Sequence, residues 1–321
     1  MMDAWSRSGR EDAVENVVRI MYRLENYGLQ PDTYAYTTLI SAYARDDHKK
    51  DAPERAEAIL AKMQSDHQSG KNPNCRPNAA SFASVIKCWE RSHREESPER
   101  IEAIVRRMKE LSAHTEYRHL TLNYNSLRFA IMAWLHSTDR RPEAGEKAVA
   151  LLDLVDEILY SGRLEAHHAL HCYNSVIVTA ARSLDSDKAP KAYNILKRIE
   201  QQSLKPRARD YRAVLSACSQ TASTESVSDL QKQEAFRLAN ITFLEYLESG
   251  LQADVDVYKE MIGLHTTLMI GNDKEEENRE KLVSAIFSNA PPTIQQSEGI
   301  QSALRAALSR EAYHSLLKKL Q

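Results

Sequence analysis

The sequence has few residues that interrupt helices and no closely spaced cysteines. Its 321 residues include only nine glycines and ten prolines, so helices should dominate. The four cysteines lie far apart and form no Cys-x-x-Cys pair. They are Cys75, Cys88, Cys172 and Cys218. This usage favours a reducing compartment in which the thiols act as small core residues.

Long apolar runs and an excess of one charge are also missing. No run approaches the roughly 18 apolar residues that a membrane-spanning helix needs, so we expect no membrane association. The net charge is −2, and a nucleic-acid site must therefore be a local basic surface on a nearly neutral molecule. The opening sequence MMDAWSRSGRED resembles neither a secretory nor a transit segment.

Sequence patterns of known catalytic sites are absent too. The chain has no Gly-x-Ser-x-Gly, no glycine-rich phosphate loop, no His-Glu-x-x-His and no C-terminal acidic block of the nuclease kind. We therefore predict that the protein is not an enzyme and uses no cofactor.

What the sequence does contain is one helical unit in six copies. Each copy begins with an aromatic residue, and apolar residues follow three and four positions later, as expected for one face of a helix. The third copy departs, because Arg128 follows Leu127 there. Successive aromatics are 38 to 49 residues apart. They are Tyr36, Phe82, Tyr124, Tyr173, Tyr211 and Tyr258.

A second amphipathic stretch lies between successive aromatics, with apolar residues at positions i, i+3, i+4 and i+7. One helix pair cannot bury its apolar face alone, whereas stacked pairs can. The pattern therefore predicts an all-α fold, a right-handed α-solenoid of stacked helix-turn-helix repeats. Gly28 and Gly250 are predicted to end the second helices in the left-handed conformation that glycine tolerates.

These units resemble the pentatricopeptide repeat, a relative of the tetratricopeptide repeat. The similarity is closest at 13–45, where GLQPD at 28–32 precedes YTTLI at 36–40. It continues through YNSL at 124–127 and YNSVI at 173–177. The resemblance covers roughly residues 1–290 and implies about six helix pairs, followed by a C-terminal helical cap at 291–321.

The alignment also bears on the chain ends. Met1 falls within the first helix of a repeat, so we expect that the first pair is cut and that the natural N-terminus lies upstream. The family acts mostly in mitochondria and plastids, which implies an organellar protein whose targeting peptide is not visible here. Some relatives carry a metallonuclease domain after the repeats, but a tail of about 50 residues is too short for one.

Family members bind single-stranded RNA along the first helices, one base per repeat. The resemblance implies that Thr37 and Asn78 form a base-reading pair that prefers adenine, and that Asn125 and Asn174 face bases in later repeats. The positions that would sandwich bases are Tyr34, Ala80, Leu122, His171 and Arg209. Since one repeat alone has a complete reader pair, we expect weak sequence preference. Alternatively, these residues are ordinary polar side chains in first helical turns.

Basic residues on the first helices offer a second means of holding RNA. Six of them could line the groove as a phosphate-binding stripe that gains affinity by counterion release. They are Lys87, Arg91, Arg128, Arg182, Arg209 and Arg212. Arg128 is the strongest candidate, because it stands where the other copies have an apolar residue. A charged, solvated helix face is the alternative that the sequence leaves open.

A histidine-rich segment raises the question of a metal site. His167 and His171, like His168 and Cys172, have the i, i+4 spacing that brings two ligands together on a helix. The segment enters a helix from a loop and no second ligand cluster is evident, which favours a plain polar entry loop. We predict no metal.

Taken together, the sequence predicts a monomeric protein that binds single-stranded RNA in organellar RNA processing, stability or translation. The alternative is a protein-binding scaffold of the tetratricopeptide type, with a peptide or partner helix in the groove and no RNA contact. An RNA groove should be basic, with Thr37, Asn125 and Asn174 aligned along it. A protein-binding groove should be apolar or acidic.

Overall fold

The computed structural model describes residues 1–46, 48–117, 119–224, 226–268 and 273–318, and the regular elements within them are helices. The α-helices are α1 (Met2–Arg7), α2 (Ala13–Asn26), α3 (Thr33–Tyr43), α4 (Ala52–Gln68), α5 (Ala79–Ser92), α6 (Ser97–Ser112), α7 (Tyr124–Leu135), α8 (Ala144–Ala150), α9 (Leu152–Tyr160), α10 (Ala166–Arg182), α11 (Lys188–Gln201), α12 (Ala208–Ser223), α13 (Asp229–Glu248), α14 (Val255–Leu268), α15 (Asp273–Ser288), α16 (Pro292–Gln295), α17 (Glu298–Ala307) and α18 (Arg310–Lys318). Among the described residues, no helix combines the length and apolar character needed to cross a membrane.

The helices form two compact units. The first unit contains Met1–Ser137 and Asp153–Ala169, and the second contains Thr138–Leu152 and Leu170–Gln321. These units are defined by contacts between residues and not by sequence repeats. The predicted division into repeats at 1–290 and a cap at 291–321 therefore stays a prediction.

In the first unit, the leading helices of successive repeats pack against one another. Helix α3 contacts α5, α5 contacts α7, and each of α3 and α5 also packs on its own second helix, α4 or α6. The leading aromatics Tyr36 and Phe82 are buried at these contacts, together with Ile40 and Ile86. The repeated apolar face is therefore what joins the helices, and the prediction of an all-α helical-repeat solenoid is confirmed. Its right-handedness stays a prediction.

The second unit repeats this arrangement. Helix α12 contacts α11, α13 and α14, and the aromatics Tyr173, Tyr211 and Tyr258 are buried. At its C-terminal end α14 packs on α15 and α17, and the single-turn helix α16 begins at Pro292.

The second helix of the third repeat is divided into two segments. It consists of α8 and α9 with Leu151 between them. The Leu151 N–H is shared by the carbonyl oxygens of Lys147, at 3.3 Å, and Ala148, at 3.2 Å. Such a divided hydrogen bond is typical of a helix end. Leu151 itself has φ of −69° and ψ of −18°, so the chain passes from α8 to α9 without leaving the right-handed helical region.

The turn that joins a second helix to the next first helix uses a left-handed residue. Gly28 has φ of 73° and Gly250 has φ of 70°, so the prediction of glycine C-caps is confirmed. Ser203 stands at the same place in the turn SLKPR and has φ of 58°. The Leu29 N–H donates to the Leu24 carbonyl at 2.9 Å, which closes a Schellman motif.

Replacing Ser203 with glycine should therefore stabilise the protein. A left-handed conformation costs a non-glycine residue about 1–2 kcal/mol. Glycine avoids this cost, but its greater conformational freedom in the unfolded chain offsets part of the gain in stability. We expect Ser203→Gly to raise the free energy of unfolding by about 0.5–1 kcal/mol, measured by urea denaturation. The matched control, Gly28→Ser, should lower it. Equal effects of both variants would contradict this account.

His265 is a buried ionisable residue on α14. It is 1% exposed, neither ring nitrogen has a hydrogen-bond partner among the described residues, and its ring meets the Phe236 ring edge-on at 5.2 Å. This burial lowers the pKa of His265 to about 4, because a charged imidazole would lose its hydration there.

In the unfolded chain, His265 should therefore be protonated at pH values at which it is still neutral in the folded chain. Protonation of His265 in the unfolded chain therefore lowers the free energy of unfolding as pH falls from about 6.5 towards 4. The loss is about 2 kcal/mol at pH 5. We expect His265→Leu to lose less stability than the wild type when urea denaturation at pH 7 and pH 5 is compared. The exposed control His48→Gln should behave as the wild type, and unchanged acid sensitivity in His265→Leu would refute the assignment.

Candidate nucleic-acid interface

Helix α3 carries two of the residues that the sequence predicts to contact RNA. The carboxylate of Asp32 caps the helix by accepting the Ala35 N–H at 2.8 Å, and this sets the direction of its first turn. Tyr34 is 63% exposed, as a base-stacking side chain must be. Thr37 is half-buried, and its hydroxyl lies 2.7 Å from the Ser81 hydroxyl of α5. Thr37 therefore already has a hydrogen-bond partner on the neighbouring helix.

Asn78, the proposed second reader of the same repeat, is the N-cap of α5. Its Oδ1 accepts the Ser81 N–H at 3.0 Å and the Ser81 hydroxyl at 3.1 Å, and the reciprocal contact completes a capping box. Ser81 thus links Thr37 to Asn78. The Asn78 amide nitrogen makes no hydrogen bond within the described residues, so it can offer a base a donor. A role in RNA reading stays a prediction for both residues.

Asn125 has a different environment. It is exposed in the first turn of α7 and lines a cavity of about 650 Å³ between α3, α5 and α7. Small side chains, among them Ala80 and Ala83, keep the cavity open, and Phe129 contributes an aromatic ring. We call this cavity the groove site. Its lining residues are Ser41, Ala44, Arg45, Ala79, Ala80, Ala83, Ser84, Lys87, Asn123, Asn125 and Phe129.

The groove site is basic. Lys87 and Arg45 line it and no lining residue is acidic. Lys87 has no carboxylate within ion-pair distance in the described part of the chain. Arg45 donates to the Ser6 hydroxyl at 2.8 Å, which holds the guanidinium without neutralising it. The guanidinium carbon of Arg128 lies 4.5 Å from the centre of the Phe129 ring, a cation–π contact at the border of the site.

The sequence indicated Ala80 and three polar or charged residues here, and missed others. Lys87, Asn125 and Arg128 were named from the repeat alignment, whereas Arg45 lies in the turn after α3 and carries no periodic signal. Arg91, expected in the same stripe, instead lines a separate cavity of about 1100 Å³ with acidic and basic residues. One helical turn beyond Lys87, the chain has already left the groove.

In the second unit, the predicted residues contact one another. Asn174 donates to the Arg209 carbonyl at 3.3 Å, and Arg209 Nη2 lies 3.2 Å from His171 Nε2. Arg212 pairs with Asp256 at 2.6 Å, at a largely exposed position. These contacts join α10 to α12 and α12 to α14. RNA would have to exchange with them, so RNA contact by Asn174, Arg209 and Arg212 stays a prediction.

The histidine segment lies at the start of α10. His171 contacts Arg209, and Cys172 is 1% exposed. The ligand atoms that do come together belong to Glu165, His167 and His168, all within 4.8 Å of one another. Sequence spacing alone did not single out Glu165.

The fold and the groove site define an α-helical repeat protein with a basic cavity between the leading helices of its first unit. Residues 19–91 match the family model described as the pentatricopeptide repeat domain. This segment contains Tyr34, Thr37, Asn78 and Lys87, and over residues 19–91 the resemblance seen in the sequence is confirmed. The family consists in general of non-enzymatic, RNA-binding repeat proteins, typically of organelles. No curated protein matches the chain.

The cap made by Asn78 can be separated from any role in base reading. Asn78→Ala should lower the free energy of unfolding by about 1 kcal/mol, because the Ser81 N–H loses its acceptor at the start of α5. Asn78→Asp keeps an acceptor and should retain most of the stability while removing the amide donor. Urea denaturation measures both variants. Wild-type stability in Asn78→Ala would show that the cap contributes nothing.

Proposed function

We propose that this protein binds single-stranded RNA through the groove site, as a monomer without catalysis, in organellar RNA processing, stability or translation. The observation that carries the proposal is the charge of the site. Lys87 and Arg45 line a cavity of about 650 Å³ that no carboxylate lines, on a chain whose net charge is −2. Local positive potential of this kind attracts a phosphate backbone.

The remaining lining groups suit a nucleotide. The Asn125 amide can both donate to and accept from the Watson–Crick edge of a base. The rings of Phe129 and Tyr34 present faces on which bases can stack, and such stacking tolerates any sequence. Lys87 and Arg128 then hold phosphates. Cations, an amide and aromatic faces are the groups that single-strand binding requires.

The same contacts predict weak sequence preference. The Thr37 hydroxyl is shared with Ser81 and the Asn78 oxygen is used by the cap, so neither is fully available to a base. Asn125 remains the one reader of the groove site whose amide is open to solvent. We infer that most of the affinity comes from phosphate contacts, and that base identity changes it modestly.

The alternative, a protein-binding scaffold, predicts an apolar or acidic groove. The groove site has alanines on its walls, but its charged residues are both basic. This supports RNA over a hydrophobic peptide or helix. An acidic peptide is the protein ligand that would still suit the charge, and it is therefore included as a competitor in the test.

The test is a fluorescence anisotropy titration with labelled 20-nucleotide homopolymers of uridine and adenosine across a salt series. We expect binding that weakens as salt rises, and Lys87→Ala should reduce the slope of log K against log salt by about 0.7, the value for one phosphate contact to a single strand. The matched control is Arg237→Ala, which removes an equally charged, 58% exposed side chain from α13. Its slope should remain that of the wild type.

Three outcomes would overturn the proposal. The first is no salt-dependent binding of either homopolymer. The second is an equal change of slope in Lys87→Ala and Arg237→Ala, since the contact would then not be at the groove site. The third is displacement of RNA by poly-glutamate at equal charge concentration together with tighter binding of poly-glutamate, which would favour a protein ligand.

A further inference from the structure

The first helices differ in where they begin. In α3, α5, α12 and α14 the leading aromatic is the fourth residue of the helix. In α7 the aromatic Tyr124 is the first residue, whereas in α10 the aromatic Tyr173 is the eighth. Helix α7 thus lacks about one turn and α10 has about one turn more than the common pattern.

The additional turn of α10 packs on the start of α7. Residues 166–169 belong to the first unit, and the His168 ring stacks on the Tyr124 ring with centroids 4.1 Å apart and an angle of 18°. Tyr124 is half-buried, whereas the other five leading aromatics are buried. His168 therefore covers a ring that the missing turn of α7 leaves open, and this contact holds its imidazole in place.

Two further metal-ligating side chains lie beside His168. Glu165 directly precedes α10, and its carboxylate oxygen lies 3.2 Å from His167 Nδ1. The imidazole centroids of His167 and His168 are 3.9 Å apart, and one ligand atom from each of the three residues lies within 4.8 Å of the others. Glu165 and His168 have the i, i+3 spacing that carboxylate–histidine metal sites use on helices.

We propose, against the sequence-based prediction of no metal, that Glu165, His167 and His168 bind a divalent cation of the zinc type. Two imidazoles and one carboxylate form a ligand set that zinc takes in sites with three protein ligands and one open position. With bonds of about 2.0–2.1 Å, tetrahedral ligands lie about 3.4 Å apart, so the side chains must close by a little over 1 Å. The side chains of Glu165 and His167 are 75% and 61% exposed, and can rotate without disturbing the core.

The negative charge of Glu165 should contribute strongly to metal binding at this site. The N-terminus of a helix carries partial positive charge and opposes a cation, so two neutral imidazoles there gain less than they would elsewhere. The Glu165 carboxylate offsets this charge at the position where it is strongest. We therefore expect Glu165→Gln to weaken metal binding at least as much as the loss of either histidine.

The site lies outside the groove-site lining, so metal binding can be measured without RNA. The test uses the untagged full chain, titrated with Zn²⁺ by isothermal calorimetry and with Co²⁺ by visible absorption. We expect one ion per chain with micromolar affinity, and at least tenfold weaker binding in Glu165→Gln and in His168→Phe. The second variant keeps an aromatic ring against Tyr124 while removing both nitrogens, and its circular dichroism should match the wild type.

The matched control is the double variant His93→Gln with His136→Gln. These histidines also pair in the first unit, with ring centroids 5.3 Å apart, and Glu90 lies 3.9 Å from His136. They do not bring three ligand atoms as close together as the α10 cluster does, so metal binding should be unchanged. An equal loss in the control, no stoichiometric binding, or a thiolate-to-cobalt charge-transfer band that assigns the ion to Cys172 would each overturn the proposal.

Discussion

The structure depends on burial of the same apolar face in every repeat. Phe82, Val85 and Ile86 of α5 are fully buried, because α5 packs at once on its own second helix and on the leading helices before and after it. A single pair leaves this face in water, and at about 25 cal/mol per Å² of apolar area an isolated pair cannot offset its conformational entropy. Stacking is therefore what makes each helix stable, and it also forms the surface that neighbouring leading helices share.

Polar contacts between leading helices modify that surface. Thr37 bonds to Ser81 and Asn174 to the backbone of Arg209, so side chains at the position predicted to face bases join neighbouring helices. Each such bond removes a donor or acceptor from any ligand and stabilises the stack by about 1 kcal/mol. Asn125 makes no bond of this kind within the described residues. Whether such a side chain can bind a ligand therefore depends on whether it already hydrogen-bonds to a neighbouring helix, and not on its residue type.

Irregular repeat length has local consequences. Helix α7 begins about one turn late and α10 about one turn early, relative to the other leading helices. The additional turn of α10 places the His168 ring on the Tyr124 ring. The break at Leu151 lies between the second-helix segments of the same repeat. The late start of α7 and the break at Leu151 fall in the copy whose sequence already deviates, at Arg128, whereas α10 begins the next copy.

The sequence by itself determined the helical repeats, the leading aromatics and the left-handed caps at Gly28 and Gly250, because these follow from local periodicity and backbone sterics. It also indicated Lys87, Asn125 and Arg128. Only the tertiary structure decided which polar groups remain open, since hydrogen bonds such as Thr37 to Ser81 join residues 44 positions apart. It likewise brought Arg45 into the groove site. Side-chain pairing between helices depends on packing distance and angle, and these are set by the neighbouring repeat rather than by local spacing.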